Sequence, residues 1–295
     1  MRIVFRFRPA ESLTVIFLCF LMAVAVVFHG KIRHAPAIIA LYALPCLVQI
    51  MLMKNEDVLW KTRFGDFART VIFPIVCVLI VFDSLEALVH AINPRDIDPM
   101  LIRLDYLIFK SYPTVALESI YSPLLTDIFQ IAYSTYYFLP ISLCLILKFE
   151  KREHDFNRAV FLILLCFYLS YIGYMLFPAL GPRYTMVHLQ SLELKGIVAA
   201  EPVQAMLNSL EGIKRDAFPS GHTGVALVVS ALGYRFHRMF FFVALPVMAM
   251  LIFSTVYCRY HYVVDVIGGV LLAAITWLLG EGYYGHWEAR NNIGR

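Results

Sequence analysis

Long apolar runs separated by short charged segments constrain the fold of this chain more than any other feature. A membrane-spanning helix needs about 20 mostly apolar residues, and eight runs come close to that length. Charged residues make up 16% of the 295 positions, whereas soluble proteins average about 25%. The sequence therefore predicts an all-α polytopic membrane helix bundle and excludes a soluble enzyme, a collagen-like chain or a disordered one. The eight predicted crossings are 12–29, 36–53, 71–91, 126–148, 159–178, 221–236, 239–258 and 262–280.

The distribution of basic residues predicts the orientation of this bundle. With the N-terminus inside, the inner segments hold fifteen of the 25 basic residues, as the positive-inside rule requires. The net charge of +4 thus reflects topology, and no basic tract indicates a nucleic-acid partner. The fifteen are Arg2, Arg6, Arg8, Lys54, Lys61, Arg63, Arg69, Lys148, Lys151, Arg152, Arg158, Arg235, Arg238, Arg290 and Arg295.

Two outer connections, about 92–125 and 179–220, are too long to be simple linkers. Each contains an amphipathic stretch, 96–110 and 202–213, that we predict to be an interfacial helix. The N-terminus is similar to a signal peptide but lacks a clear cleavage site, so we expect a retained first helix. We expect an integral protein of the cell (inner) membrane whose site faces the periplasmic, extracytoplasmic or luminal side.

The segment FPSGHT, Phe218 to Thr223, lies where the second outer connection turns into a helix. The unpaired N–H groups and positive dipole end of a helix start favour an anion. Ser220 and Gly221 are the candidate phosphate-binding residues, because glycine allows close backbone approach. His222 can pass a proton to an oxygen that leaves phosphorus. The alternative is a capped helix start with a histidine that reaches the interface.

A second motif, YCRYHYVVD, spans Tyr257 to Asp265 at the outer end of another helix. His261 and Asp265 are four residues apart, so on a helix they share one face. The carboxylate can then hold the imidazole in one tautomer and support the cation formed during attack, which makes His261 the candidate nucleophile. A pair that only ties helices together is the alternative, but ionisable residues at membrane depth indicate function.

Two arginines and several polar residues complete the candidate site. Arg183, in a Gly-Pro-Arg segment, and Arg259 each offer a planar fork of donors to phosphate oxygens; Arg183 can equally be an interfacial anchor. Polar residues on the third and fourth crossings can line a headgroup pocket, pair with one another, or belong to the aromatic belt. They are Asp83, Glu86 and His90, then Asp127, Gln130 and Ser134, beside Tyr133, Tyr136 and Tyr137.

Together these motifs resemble the type 2 phosphatidic acid phosphatase superfamily, whose pattern is KxxxxxxRP, then PSGH, then SRxxxxxHxxxD. The resemblance rests on PSGH at 219–222 and on His-x-x-x-Asp at 261–265. It implies that 71–285 form a membrane-embedded lipid phosphatase or phosphotransferase domain with a six-helix core. Residues 1–60 would then be two additional N-terminal transmembrane helices.

The same resemblance implies a mechanism without a metal or another cofactor. His261 would attack phosphorus to form a phosphohistidine, and Asp265 would orient it. His222 would protonate the leaving group, while the Ser220–Gly221 region would bind phosphate oxygens. The six cysteines show no zinc-ligand spacing either.

Departures from the family pattern point to a particular branch. Thr255 stands where the family has a phosphate-binding arginine, and Arg259, one helical turn later, can replace it. Leu176 stands where the first motif has its lysine. The Gly-Pro-Arg and Arg-Tyr-His-Tyr-Val-Val-Asp segments are similar to those of the branch that contains inositol phosphorylceramide synthases and sphingomyelin synthases. Enzymes of that branch transfer a phospho-headgroup to a lipid hydroxyl. The glycine in PSGH is instead typical of the phosphatases.

Hydrolysis and headgroup transfer therefore stay open, because water or an alcohol can resolve the same covalent intermediate. The partner expected in either case is a lipid phosphate or phospholipid in the bilayer. A wet site would favour hydrolysis, and a closed site lined by acidic and tyrosine side chains would favour transfer. A non-enzymatic transporter or scaffold is the alternative from another class, although paired discontinuous helices in related halves are absent from the sequence pattern. The sequence does not determine the oligomeric state.

Overall fold

The structure, a computed structural model, describes residues 8–54, 62–210 and 212–292. Within that part of the chain it is built from helices and contains no strand. The helices are α1 Pro9–Val27, α2 Ala35–Lys54, α3 Arg63–Phe67, α4 Phe73–Ser84, α5 Glu86–Ile92, α6 Asp98–Phe109, α7 Pro113–Ala116, α8 Pro123–Ser134, α9 Phe138–Phe149, α10 Glu153–Leu176, α11 Pro182–Thr185, α12 Ala200–Leu210, α13 Gly221–Phe236, α14 Arg238–Tyr257 and α15 Val263–Asn292. A π-helical segment, Ala68–Ile72, joins α3 to α4, and a short 3₁₀ turn, Thr135–Tyr137, joins α8 to α9.

Seven helical stretches of the described chain are long and apolar enough to cross a membrane. Each corresponds to a predicted crossing, which confirms the all-α membrane bundle. The third stretch begins earlier than predicted. It ends at Ser84 because the α-helix is interrupted at Leu85, before α5 begins. The seven are Pro9–Val27, Ala35–Met53, Phe64–Ser84, Pro123–Phe149, Glu153–Leu176, Arg238–Tyr257 and Val263–Asn291.

The remaining predicted crossing, 221–236, is α13, a helix of 16 residues. At 1.5 Å per residue it is about 24 Å long, shorter than the bilayer's hydrocarbon core of about 30 Å. It packs against α10, α14 and α15, which bury most of its side chains. Because α13 packs against four helices, α9, α10, α14 and α15, and most of its residues are buried, it lies in the centre of the bundle. An enclosed helix needs less apolar length than one that faces lipid.

The two N-terminal helices are joined to the rest of the bundle by packing and by a buried ion pair. α1 packs against α2 and α10. The Arg69 guanidinium donates to both carboxylate oxygens of Glu11, at 2.7 and 2.9 Å, and both residues are buried. A two-pronged geometry of this kind gives the close attraction and paired hydrogen bonds that offset the desolvation penalty of a buried charge pair.

Ion pairs concentrate at the end of the bundle opposite to the start of α13. Arg158 and Arg235 both donate to Glu281, and Lys148 binds Asp66. The positive-inside rule expects this end to be the inner one. Of the basic residues that enter the predicted orientation, Arg2, Arg6, Lys61 and Arg295 lie outside the described residues.

The outer connections fold onto the opposite end, and both predicted interfacial helices are present as α6 and α12. Asp105 of α6 accepts hydrogen bonds from the backbone N–H groups of Val263 and Val264, at 3.0 and 2.9 Å. Asp98 accepts from the N–H groups of Leu180 and Gly181, both at 2.9 Å. The first outer connection therefore holds the start of α15 and the segment after α10 in place.

Candidate active site

His222 and His261 meet at the outer-connection end of the bundle. His222 lies in the first turn of α13, and His261 lies in the turn between α14 and α15. His261 Nε2 is 3.3 Å from His222 Nδ1. The two side chains are buried, with 2% of His261 and 5% of His222 exposed. The two motifs singled out in the sequence thus form one site, although 39 residues separate the two imidazoles.

The contacts of His261 define which of its nitrogens carries the proton. Its Nδ1 is 2.8 Å from the carbonyl oxygen of Ala217. A carbonyl only accepts hydrogen bonds, so Nδ1 is the donor and Nε2 of the neutral ring keeps its lone pair. That lone pair points toward His222. The tautomer needed for nucleophilic attack by Nε2 is therefore stabilised by a backbone carbonyl.

Asp265 lies against the same imidazole, although not for the reason that the sequence suggested. Its Oδ2 is 3.5 Å from His261 Nδ1 and accepts a hydrogen bond of 2.8 Å from the backbone N–H of Tyr262. The prediction of a shared helical face is wrong, because α15 begins at Val263 and His261 precedes it. The carboxylate instead reaches back over the helix start, as in a capping box.

Four buried polar atoms of the two motifs have no hydrogen-bond partner among the described residues: Nε2 of His222, Oγ1 of Thr223, Nε of Arg259 and Oδ1 of Asp265. Asp265 is fully buried, with 0% exposed. Buried polar atoms are paired in the great majority of native structures, and exceptions call for an explanation such as a bound group or a catalytic role. Nε2 of His222 is therefore a position at which a substrate oxygen or a water molecule can bind, and Oδ1 of Asp265 is a position for a hydrogen-bond donor such as water.

Aromatic rings enclose His222. The Tyr133 ring stacks on the imidazole with centroids 4.4 Å apart, and the Tyr136 ring lies 4.1 Å away. Tyr133 also stacks on Tyr260, at 4.1 Å. Of the predicted headgroup candidates, Tyr133 therefore lies directly at the site, and the histidines are screened from bulk water.

The Ser220–Gly221 region forms the start of α13, as predicted, and is fully enclosed. The Ser220 hydroxyl accepts a hydrogen bond of 3.2 Å from the backbone N–H of Thr223, and the Ser220 N–H donates to the Asp265 carbonyl at 3.0 Å. The Tyr174 hydroxyl packs closely against Gly221, where a Cβ would collide with it. These bonds cap α13 and tie it to α15.

Arg183 lies near the histidines. Its guanidinium stacks over the Tyr260 ring at 4.8 Å, and its Nη1 donates to Asn208 Oδ1 at 3.2 Å. Burial is the main cause that lowers the pKa of His261, and the positive charge of Arg183 acts in the same direction as a smaller influence. Arg183 is therefore placed to act electrostatically on the site.

Arg259 does not extend a helical face of α14, and this part of the sequence interpretation is wrong. The helix ends at Tyr257, and Arg259 has a left-handed φ of 64°. Its guanidinium donates to Glu118 Oε1 at 2.6 Å, Gln190 Oε1 at 2.9 Å and the Leu192 carbonyl at 3.0 Å. It therefore joins the two outer connections to the turn that carries His261.

We expect Glu118→Gln to destabilise the protein strongly. The side chains of Glu118 and Arg259 are 9% and 7% exposed, and removing one partner of a buried ion pair costs about 3 to 5 kcal/mol because the other charge stays buried. The thermal unfolding midpoint of purified protein in detergent should fall accordingly.

The matched control is Glu193→Gln. Glu193 pairs with Lys195 at 3.2 Å, but the two side chains are 83% and 67% exposed, and exposed pairs contribute little. An equal fall in the midpoint for the two variants would show that the Glu118–Arg259 pair does not stabilise the outer connections.

Asp216 is a residue that the sequence interpretation did not single out. It precedes Ala217, whose carbonyl holds His261. Burial raises the pKa of Asp216, while the charges of His261 and Arg183 oppose that rise. The sequence did carry a signal for Asp216: an acidic residue lies four positions before Ser220, just ahead of an apolar helix.

The acidic headgroup candidates on the third crossing bind protein groups. Glu86 forms an ion pair with Arg215 and accepts from the Lys214 N–H at 3.0 Å. Asp83 is exposed and packs against Gly212. Both therefore hold the segment that precedes α13.

Two further candidates on the fourth crossing, Tyr137 and Asp127, have different surroundings. Tyr137 contacts Tyr136 edge to face. Asp127 accepts hydrogen bonds from four successive backbone N–H groups, 197–200, at the start of α12. Asp127 therefore caps a helix and does not line the His222 site.

Comparisons with known proteins agree on one family. The sequence model of the PAP2 superfamily matches residues 104–279, which include both histidines, Asp265 and both arginines. A PA-phosphatase related-family protein of Dictyostelium discoideum is 24% identical in an alignment 194 residues long that covers 59% of this chain. The chain covers only 35% of the length of that relative. No solved structure matches the chain.

Proposed function

This chain belongs to the PAP2 superfamily, and from that premise we propose that it cleaves a phosphate ester or pyrophosphate of a membrane lipid through a phosphohistidine on His261. The observation that carries the proposal is the buried pair of imidazoles. With its Nδ1 proton on the Ala217 carbonyl, His261 directs the lone pair of Nε2 toward His222. A positioned lone pair beside a proton carrier is the arrangement that nucleophilic catalysis at phosphorus needs.

In the first step His261 Nε2 forms a bond to phosphorus while the bond from phosphorus to the leaving oxygen breaks. His222 in its protonated form gives its proton to that oxygen, so a lipid alcohol leaves neutral and a lipid phosphate leaves with one negative charge fewer. The positive charge that develops on the His261 ring is stabilised by Asp265, 3.5 Å from Nδ1. Phosphate oxygens would lie near Arg183 and the start of α13.

In the second step a water oxygen forms a bond to phosphorus while the bond from phosphorus to His261 Nε2 breaks, which releases phosphate and the free imidazole; His222 takes a proton from that water. An alcohol in place of water gives headgroup transfer with the same proton movements. We propose transfer as the second candidate because the site is closed: His222, His261 and Asp265 are all buried and tyrosine rings cover His222. Exclusion of water favours an acceptor that the protein binds.

The experiment that tests the proposal is turnover of purified protein in detergent, scoring free phosphate and new phospholipid separately. Substrates are phosphatidic acid, a polyprenyl pyrophosphate, and phosphatidylinositol with ceramide or diacylglycerol as acceptor. Free phosphate supports hydrolysis, and new phospholipid without phosphate release supports transfer. Turnover that persists in excess chelator supports the metal-independent mechanism, and no turnover of any substrate contradicts the proposal.

We expect activity to persist well into the acidic range. Burial lowers the pKa of His261 from 6.5 to about 4, against the opposing influence of Asp216. The neutral, nucleophilic ring is then the major form at every pH above about 4, so the acidic limb of kcat/KM should have its midpoint below 6.5. Since the unfolded chain binds this proton more tightly, His261 also makes stability rise with pH between about 4 and 6.5. A pH profile of kcat/KM whose acidic midpoint lies at or above 6.5 would contradict the assignment.

A further inference from the structure

An apolar cavity of about 170 Å³ lies between α4, α9 and α10. Its walls include Val78, Leu79, Ile141, Ile163 and Phe167. Leu79 is 49% exposed on the outside of the bundle, so the cavity opens sideways to the surface that faces lipid. An apolar cavity of about 150 Å³ can bind one benzene ring, and this cavity therefore fits one slender apolar group.

The outer end of the cavity reaches the candidate active site. Tyr136, Tyr137 and Tyr171 line that end. The Tyr136 ring is the one that lies 4.1 Å from the His222 ring. The Tyr136 ring therefore stands between the cavity and His222, and a lipid whose phosphate lies at the histidines has only this ring to pass before a chain enters the cavity.

The inner end of the cavity is closed by polar residues. Phe156 and Val160 line both this cavity and a smaller pocket beyond it, which Glu11, Gln49 and Arg69 also line. Glu11 and Arg69 form the buried ion pair at 2.7 Å. A hydrocarbon chain gains nothing by entering such surroundings, because it cannot form hydrogen bonds with the polar and charged groups there.

The depth of the cavity follows from helix geometry. From Phe156 to Tyr171 the axis of α10 rises about 22 Å at 1.5 Å per residue. One leaflet of a bilayer has about 15 Å of hydrocarbon, half of the core. The cavity wall thus spans more than the depth of one leaflet, while the volume of about 170 Å³ limits what the cavity holds to the terminal part of one chain. Part of the cavity's surroundings lies outside residues 104–279, the segment that matches the family: the helices concerned are α1, α2 and α4.

We propose that this cavity binds one hydrocarbon chain of the lipid substrate and that the Glu11–Arg69 floor sets how long a chain fits. The inference rests on the proposed function and deepens it, because it makes the protein selective for chain length. The residues that would limit chain length, Glu11 and Arg69, lie in the N-terminal part of this chain, before the segment 104–279 that matches the family.

The test is Val160→Phe, which fills the inner part of the cavity, with Val76→Phe as its matched control. Val76 lies on α4, is 42% exposed and does not line the cavity. The substrates are dioleoyl and dioctanoyl phosphatidic acid. We expect Val160→Phe to lower the ratio of kcat/KM for the long chain over the short chain at least about tenfold, the equivalent of two buried methylene groups. Val76→Phe should leave the ratio unchanged.

An unchanged ratio in Val160→Phe, or an equal change in the control, overturns the inference. Ile75→Phe, at another lining position, is the second variant if Val160→Phe does not fold. If the wild type turns over neither substrate, the proposed function fails and the cavity is tested by binding alone. A phosphatidic acid with a photoactivatable group at its chain end should label the part of α10 around 156–163, less so in Val160→Phe. Labelling confined to the outer surface of the bundle overturns the inference.

Discussion

His261→Ala is expected to abolish turnover, with a loss of at least about 10⁴-fold, as is typical when a covalent nucleophile is removed. The reason is specific to this ring: its Nε2 lone pair is directed at the site by the Ala217 carbonyl, and alanine offers no nucleophile in its place. The measurement is phosphate release and phospholipid formation from the substrate that the wild type prefers. A second measurement traps the enzyme with substrate labelled in its phosphate. Wild type should retain an acid-labile label, and His261→Ala should retain none.

The matched control is His188→Ala. His188 lies in the second outer connection, in the 3₁₀ turn Val187–Leu189, and is exposed. Its loss should change neither turnover nor labelling, while both variants keep the wild-type unfolding midpoint within a few degrees. Retention of label by a folded His261→Ala protein would assign the covalent step to another residue.

The fold could be predicted from the sequence because membrane helices carry a strong local signal. Runs of apolar residues located the seven spanning helices and also α13, even though α13 is short. Hydrophobic length does not depend on which helices are neighbours, so it can be read locally. The break at Leu85 between α4 and α5 was missed, because the apolar pattern continues through it.

The site could be predicted only in part. His222, His261 and Asp265 carry a local motif, and the structure brings them together. The partner of Arg259 is Glu118, 141 residues away, and no local pattern reports such a contact. The helical argument for Arg259 also failed at a helix end, since positions beyond Tyr257 no longer follow the helical period.

The cavity was likewise beyond sequence reasoning. It exists because three helices leave a gap at one place, and residues that line it look like any others on an apolar helix. The tautomer of His261 depends on a backbone carbonyl of another segment, which side-chain patterns cannot indicate. The sequence shows which reactive side chains are present, but it does not show which of them the packing of helices brings into contact.

His222→Ala is expected to have an effect that depends on the leaving group. For a lipid alcohol or lipid phosphate leaving group the loss should be about 10²- to 10⁴-fold, the usual contribution of a general acid. For a nitrophenyl phosphate ester the loss should be much smaller, because nitrophenolate leaves without a proton. The measurement is kcat/KM of wild type and variant on both substrates.

His261→Ala provides the contrast for this experiment. Attack on phosphorus is needed whatever the leaving group is, so His261→Ala should lose activity equally on both substrates. The two imidazoles are only 3.3 Å apart, so mutation of one also changes the surroundings of the other. The difference in activity loss between the two substrates is therefore more informative than the size of the loss on either one. Equal losses on both substrates in His222→Ala would mean that His222 positions His261 and does not donate a proton. A loss confined to the lipid substrates assigns the proton to His222. The atom that faces the leaving oxygen is then Nε2 of His222, which is buried and has no partner among the described residues.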